Sequence, residues 1–170
     1  MTEVAVGVGS NIEPGRHVPA ALERLRARFG VLDVSPIYSC PAVGFSGADF
    51  VNLVVAFQSA EPIEAVQAGL RAIEAAGGRN RAARGDGSRT MDLDMLLFGD
   101  RVLDNGDIRV PRADILEYAF VLRPLADIRP RACHPTDGRR YRELWEAFEQ
   151  PGQPLTEITL GSSNTEQDCS

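Results

Sequence analysis

The chain has 170 residues, of which 44% are hydrophobic and 25% charged, and its formal net charge is −6. These values fit one soluble domain long enough to bury a core, and the acidic balance argues against a nucleic-acid or anionic-membrane surface as the main partner. All 18 basic residues are arginine, which excludes Schiff-base chemistry and a lysine-dependent P-loop, and with only His17 and His134 present, catalysis built on several histidines is excluded too.

No run of about 18 apolar residues predicts a membrane span. The start, Met1-Thr2-Glu3-Val4, lacks the basic and apolar regions of a secretory signal. Cys40, Cys133 and Cys169 are odd in number, widely spaced and without a metal-ligand pattern, so reduced thiols in the cytoplasm are expected.

Residues 4–9, Val-Ala-Val-Gly-Val-Gly, predict a first, central strand. Gly7 and Gly9 do not begin a dinucleotide fingerprint, because its third glycine would fall at Ile12; they permit close packing or a tight exit into Ser10-Asn11. Val18, Leu22, Leu25 and Phe29 follow at helical spacing, with Pro19 suited to the first turn, Gly30 as terminator and His17 on the surface. Residues 31–38 predict a second strand.

A loop punctuated by Pro41, Gly44 and Gly47 then leads to a third strand over 50–59. Val51, Leu53, Val55 and Phe57 share its core face, while Phe50 and Asn52 share the other. An aromatic beside an amide is either ordinary sheet decoration or a place to stack and hydrogen-bond a flat heterocycle. Pro62 opens a second helix with Ile63, Val66, Leu70 and Ile73 on its buried stripe, ending at Gly77-Gly78. Residues 79–89 read as a flexible, glycine-rich loop carrying Arg79, Arg81, Arg84 and Arg89.

Residues 88–98 predict the fourth strand. Its alternation turns Met91, Leu93 and Met95 one way and Asp92 and Asp94 the other. The order βαββαβ predicts a ferredoxin-like α+β fold with an antiparallel sheet, helices on one face and the opposite face free for a site. A hairpin is expected over 102–111, a short helix or strand closing the sheet over 119–125, and a last helix around Leu144, Trp145 and Phe148 with Trp145 in the core. Residues 1–160 form the expected domain, and 161–170 a disordered polar tail.

Two aspartates on one strand face are expensive like charges unless a cation lies between them. Hard carboxylate oxygens suit Mg²⁺ that keeps positions open for water and substrate phosphates, and four nearby arginines suit a polyphosphate. Phosphoryl or pyrophosphoryl transfer then follows as positioning and charge neutralisation. A glycosidase-type acid pair and a charge-protected strand edge are the competing readings of the same carboxylates.

Arg89-Thr90-Met91-Asp92-Leu93-Asp94-Met95-Leu96-Leu97-Phe98 closely resembles the R-T-x-D-L-D-[IL]-x-x-[FY] signature of the 6-hydroxymethyl-7,8-dihydropterin pyrophosphokinase family. The likeness is collinear from Gly7-Val8-Gly9-Ser10-Asn11 through Tyr38, Pro41, Gly44, Phe50-Val51-Asn52, Glu74, Arg79 and Arg81 to Ala119-Phe120-Val121-Leu122. It implies pyrophosphate transfer from ATP to 6-hydroxymethyl-7,8-dihydropterin in folate biosynthesis, by a cytoplasmic monomer. It further implies two Mg²⁺ held by Asp92 and Asp94, with Arg79 and Arg89 catalytic beside them. Glu74, Arg79, Arg81, Arg84, Arg89, Met95 and Arg112 match the ATP side. Cys40, Pro41, Val43, Gly44, Phe50, Asn52 and Phe120 match the pterin side, the two phenylalanines sandwiching the ring.

Three departures from the family pattern fall on the ATP side. Gly85-Asp86-Gly87-Ser88 replaces a segment with an arginine and an aromatic, Arg112 replaces a histidine after proline, and Tyr118 replaces a basic residue. A pterin- or nucleotide-binding paralogue is the alternative to a working enzyme. The retained Asp92, Asp94, Arg79, Arg81 and Arg89 favour the enzyme.

Overall fold

The computed structural model describes residues 1–41, 49–77, 91–149 and 152–160. Strand β1 (Thr2–Ser10) leads to helix α1 (Pro14–Phe29), and the second strand is broken into β2 (Asp33–Val34) and β3 (Ile37–Cys40). Strand β4 (Phe50–Ser59), helix α2 (Ile63–Ala76) and strand β5 (Asp92–Phe98) complete the first half. A short antiparallel pair, β6 (Leu103–Asp104) with β7 (Arg109–Val110), precedes α3 (Asp114–Glu117), α4 (Ala119–Ile128), α5 (Tyr141–Glu146) and β8 (Thr156–Ile158).

The main sheet runs β5-β1-β4-β3-β8, with β2 also on β4, and its neighbours pair antiparallel. Its break falls at Ser35-Pro36, where proline has no N–H to give the ladder. Ser35 repairs the gap: its N–H donates to the Val54 carbonyl, and its Oγ accepts from Val54 N–H at 2.9 Å.

The core face follows the alternation. Val4, Val6 and Val8 of β1 pack with Val51, Leu53, Val55 and Phe57 of β4 and Met91, Leu93 and Met95, against Val18 and Leu25 of α1 and Ile63, Val66 and Leu70 of α2. The helix α1 begins at Pro14, so Pro19 lies inside it and not in the first turn. His17 lies in the first turn of the helix, its Nδ1 2.8 Å from the carbonyl of Ile12 in the turn before it.

The opposite face is not free, contrary to the expectation from the βαββαβ order. Ala5, Val54 and Leu96 form a second core with Ile115, Leu122, Leu125, Tyr141 and Leu144 of α3, α4 and α5. The segment 119–125 is thus part of a helix lying on the sheet. Among the described residues, the end of that face bearing Gly7, Gly9, Asn52, Asp92 and Asp94 stays open. Trp145 is half-buried, not core; it stacks on Phe148 with the Arg123 guanidinium 5.1 Å from its ring. Strand β8 was not expected, because Thr156-Glu157-Ile158 is too short to show a period.

One irregularity shapes β5. Ala5 pairs with Leu97 while Val6 pairs with Met95, so Leu96 is an extra residue, a β-bulge. Its carbonyl accepts the Arg112 N–H at 2.9 Å, tying the segment after β7 to the strand. Among the described residues no helix is long and apolar enough to cross a membrane.

His134 is 4% exposed, and its Nδ1 accepts from the backbone N–H groups of Thr136 at 3.2 Å and Asp137 at 3.0 Å. Burial depresses its pKa below 6.5, with the Asp137 charge opposing. The unfolded chain therefore takes up this proton first, and stability is lost as pH falls below the unfolded pKa of about 6.5. Urea midpoints are expected to drop between pH 7.5 and 5.5, with this step missing in His134→Ala. An equal drop in that variant would remove His134 as its source.

Candidate active site

The open end of the second face holds a cavity of about 250 Å³. Its floor comes from backbone. Gly9 pairs with Asn52 on one side and Asp92 on the other, and Gly7 pairs with Val54 and Asp94. Two rows therefore cross three strands, each with a glycine in the middle. Neighbouring strands lie about 4.8 Å apart, so the carboxylates stand roughly 10 Å from the β4 side chains, with no β1 side chain between them. The Leu96 side chain lies over Gly7, 3.6 Å from where a Cβ would stand. A Cβ on Gly9 would come within 3.1 Å of Asn52 Oδ1, which explains glycine there more specifically than close packing in general.

Phe50, Asn52, Cys40, Pro41 and Phe120 line one end of this cavity, and Asp92, Asp94 and Asp114 line the other. Asn52 is 8% exposed and donates from Nδ2 to Cys40 Sγ at 3.3 Å. Burial, with the charge of Asp49, pushes the Cys40 thiol up to about 11 against the opposing Asn52 hydrogen bond, so it stays a neutral thiol at physiological pH. Cys40 thus fixes the amide and is no nucleophile. An amide edge in one cavity with two half-buried phenylalanines suits a flat, polar-edged ring.

At the other end, Arg112 Nη1 lies 3.8 Å from Asp94 Oδ1 and its Nε donates to Asp114 Oδ2 at 3.1 Å. Burial works against the guanidinium's charge, but Asp94, Asp114 and Asp92 together hold its pKa above the ordinary value. Asp114 was missed in the sequence, where its only signal is an acidic residue two places after Arg112.

Among the described residues no group of three or more His, Cys, Asp or Glu is placed to hold a metal. Asp92 and Asp94 still fit Mg²⁺, which is commonly bound by one or two carboxylates together with substrate phosphates and water. The hard-oxygen donor set matches that chemistry.

Glu74 does not line this cavity. It is 2% exposed, pairs with Arg71 at 3.0 Å and accepts the Leu93 N–H at 3.0 Å, closing the outer edge of β5 beside Asp92 and Asp94. Glu74→Ala would leave that amide unpaired and is expected to cost about 2–3 kcal/mol of stability, read from urea unfolding. A loss below about 0.5 kcal/mol would show that the edge bond contributes little. Met95 is 4% exposed with its side chain in the core. Val43, Gly44, Arg79, Arg81, Arg84 and Arg89 lie outside the described residues.

Fold and cavity define an α+β protein with an antiparallel sheet and a cleft pairing an aromatic end with an acidic one. Within that class, the family of 7,8-dihydro-6-hydroxymethylpterin-pyrophosphokinase (HPPK) matches residues 5–130. The chain belongs to this family. It is 40% identical over 149 residues to a 2-amino-4-hydroxy-6-hydroxymethyldihydropteridine pyrophosphokinase of Pseudomonas aeruginosa, covering 85% of this chain and 90% of that protein. The protein of the same name from Synechocystis sp. is 35% identical over 148 residues, covering 85% and 75%. Among solved structures, an HPPK-DHPS in complex with substrates superposes with TM-score 0.66 at 13% identity, over 85% of this chain and 44% of that one. A Plasmodium falciparum HPPK-DHPS gives TM-score 0.61 at 12% identity, over 86% and 43%. This chain thus spans less than half of those longer chains, and the likeness to them is one of fold.

Proposed function

We propose that this chain transfers pyrophosphate from ATP to the 6-hydroxymethyl group of 6-hydroxymethyl-7,8-dihydropterin, releasing AMP, as a step in folate biosynthesis. The acceptor hydroxyl oxygen bonds to the β-phosphorus, the bridge to the α-phosphorus breaks, and the hydroxyl proton is lost. The observation that carries this reading is the two-ended cavity, with Phe50, Asn52 and Phe120 across a glycine floor from Asp92 and Asp94. The names of the relatives support the substrate.

In this reading Phe50 and Phe120 sandwich the pterin, Asn52 meets its edge, Cys40 and Pro41 wall that end, and Val43 and Gly44 keep the pterin-side role that the family pattern gives them. Asp92 and Asp94 would hold two Mg²⁺, which when bound neutralise phosphate charge and align the reacting groups. Arg112, steadied by Asp114, joins Arg79, Arg81, Arg84 and Arg89 in the proposed role of neutralising the phosphates. Glu74 supports the strand that carries the aspartates, and Met95 offers ATP only its backbone. We read the frame as ferredoxin-like: with β2 and β3 taken as one broken strand, the sheet order β5-β1-β4-β3 supports that topology. One domain over 1–160, acting as a cytoplasmic monomer, carries the activity.

The test is AMP release by the purified chain from Mg-ATP, with and without the pterin. AMP that requires the pterin is expected. Pterin binding with no AMP would replace the enzyme with a binding module.

A further inference from the structure

We propose that Gln153 is a positioning residue for the pterin end of the cavity: it fixes the start of α4 and thereby the ring of Phe120. The proposal rests on the reading above that Phe120 stacks on the pterin.

The chain is extended at Tyr118, φ −123° and ψ 127°, between α3 and α4, and no side chain of that residue caps the helix that follows. The first N–H groups of a helix need partners from elsewhere. Gln153 supplies one, its Oε1 accepting from Ala119 N–H at 2.8 Å. Its Nε2 donates to the Glu117 carbonyl at 3.0 Å. One amide therefore ties together both sides of the break between the helices, from 34 and 36 residues away in sequence.

Phe120 is the next residue after the tied one, and its surroundings make that tie matter. Its ring borders the site cavity of about 250 Å³ and also a second cavity of about 290 Å³, lined by Tyr118 and by Gly152, Gln153, Pro154 and Leu155. The ring's stacking partner is Tyr118, with centroids 5.0 Å apart and planes at 20°, and Tyr118 sits on the same break. A ring with open volume on two sides is not aimed by packing alone; the backbone beneath it sets its direction. The segment bearing Gln153 is itself anchored, since β8 pairs with β3 at Ile37, Tyr38 and Ser39, next to Cys40 of the same cavity wall. Gln153 also lies beyond residues 5–130 matched by the family, so the tie joins the family's core to a segment outside that match.

The test measures affinities by calorimetry, for 6-hydroxymethyl-7,8-dihydropterin in the presence of a non-cleavable ATP analogue with Mg²⁺, and for that analogue alone. Loss of a helix-capping bond predicts a pterin Kd raised about five- to tenfold in Gln153→Ala, with the nucleotide Kd within about twofold of the unaltered protein. Gln153→Glu keeps an acceptor for Ala119 but sets a carboxylate oxygen against the Glu117 carbonyl, so a rise of the same order as in the alanine variant is expected. An unchanged pterin Kd in Gln153→Ala overturns the proposal, as does an equal rise in both constants, which would mean general loosening. If the alanine variant does not fold, Gln153→Met, similar in length and without the amide, gives the same comparison. The readout needs no turnover: a protein that binds the pterin but releases no AMP fails the proposed activity while Gln153 is still tested.

Discussion

Replacing Asp94 by alanine is expected to lower pterin-dependent AMP formation by at least about 10²- to 10³-fold, the range seen when one preorganised electrostatic group is removed from a reacting centre. Asp94 lies across from Gly7, so no side chain on β1 can take over its position. The fold should tolerate the change. Asp94 shares its strand face with Asp92, and removing one of two like charges relieves repulsion. Arg112 keeps its 3.1 Å bond to Asp114, so no charge is stranded. A thermal midpoint within a few degrees of the unaltered protein should therefore accompany the lost activity. Activity within tenfold of the original would sink the assignment of Asp94 as a magnesium ligand.

The second large effect is expected at Gly9. Valine favours a strand, so Gly9→Val should leave the sheet intact. Its branched side chain would rise midway between Asn52 and Asp92. The clash begins at Cβ, 3.1 Å from Asn52 Oδ1, and Asn52 has little room to yield because its amide nitrogen is bonded to Cys40 and the residue is buried. Overpacking together with a displaced hydrogen-bonding edge predicts about 2–4 kcal/mol, or roughly 30- to 1,000-fold, in pterin affinity. Calorimetric titration with the pterin decides the matter, and an affinity within about threefold of the original protein would mean that the glycine floor does not shape the ring site.

The parts of this molecule that were legible in its sequence are those governed by short periods. Alternation in β4 and β5 placed Val51, Leu53, Met91 and Leu93 in the core and Asn52, Asp92 and Asp94 on the other face, because a strand repeats every two residues. Pro62 and Gly77 bounded α2 through the same local rules. What escaped was tertiary. Nothing in the segment 119–125 said which surface its helix would cover, and α4 took part of the face expected to be open. Asp114 joined the aspartates only because the segment after β7 folds back onto β5. That the Glu74 carboxylate closes a strand edge was likewise hidden, a contact set by how α2 packs. The pairing of Asn52 with Cys40 follows from β3–β4 register, which sequence spacing across a loop does not give.

The bulge at Leu96 separates two duties of β5 that would otherwise be fused. If Leu96 were excised, Met95 would still face the first core, Leu97 the second and Phe98 the first, because the extra residue is what interrupts a plain two-residue rhythm. The sheet could close without it. The carbonyl that receives the Arg112 N–H would be gone, however, and with it the tether that brings a guanidinium to the aspartates. A one-residue deletion there would thus keep the strand rhythm and unmoor the charge, at the cost of one leucine from the second core.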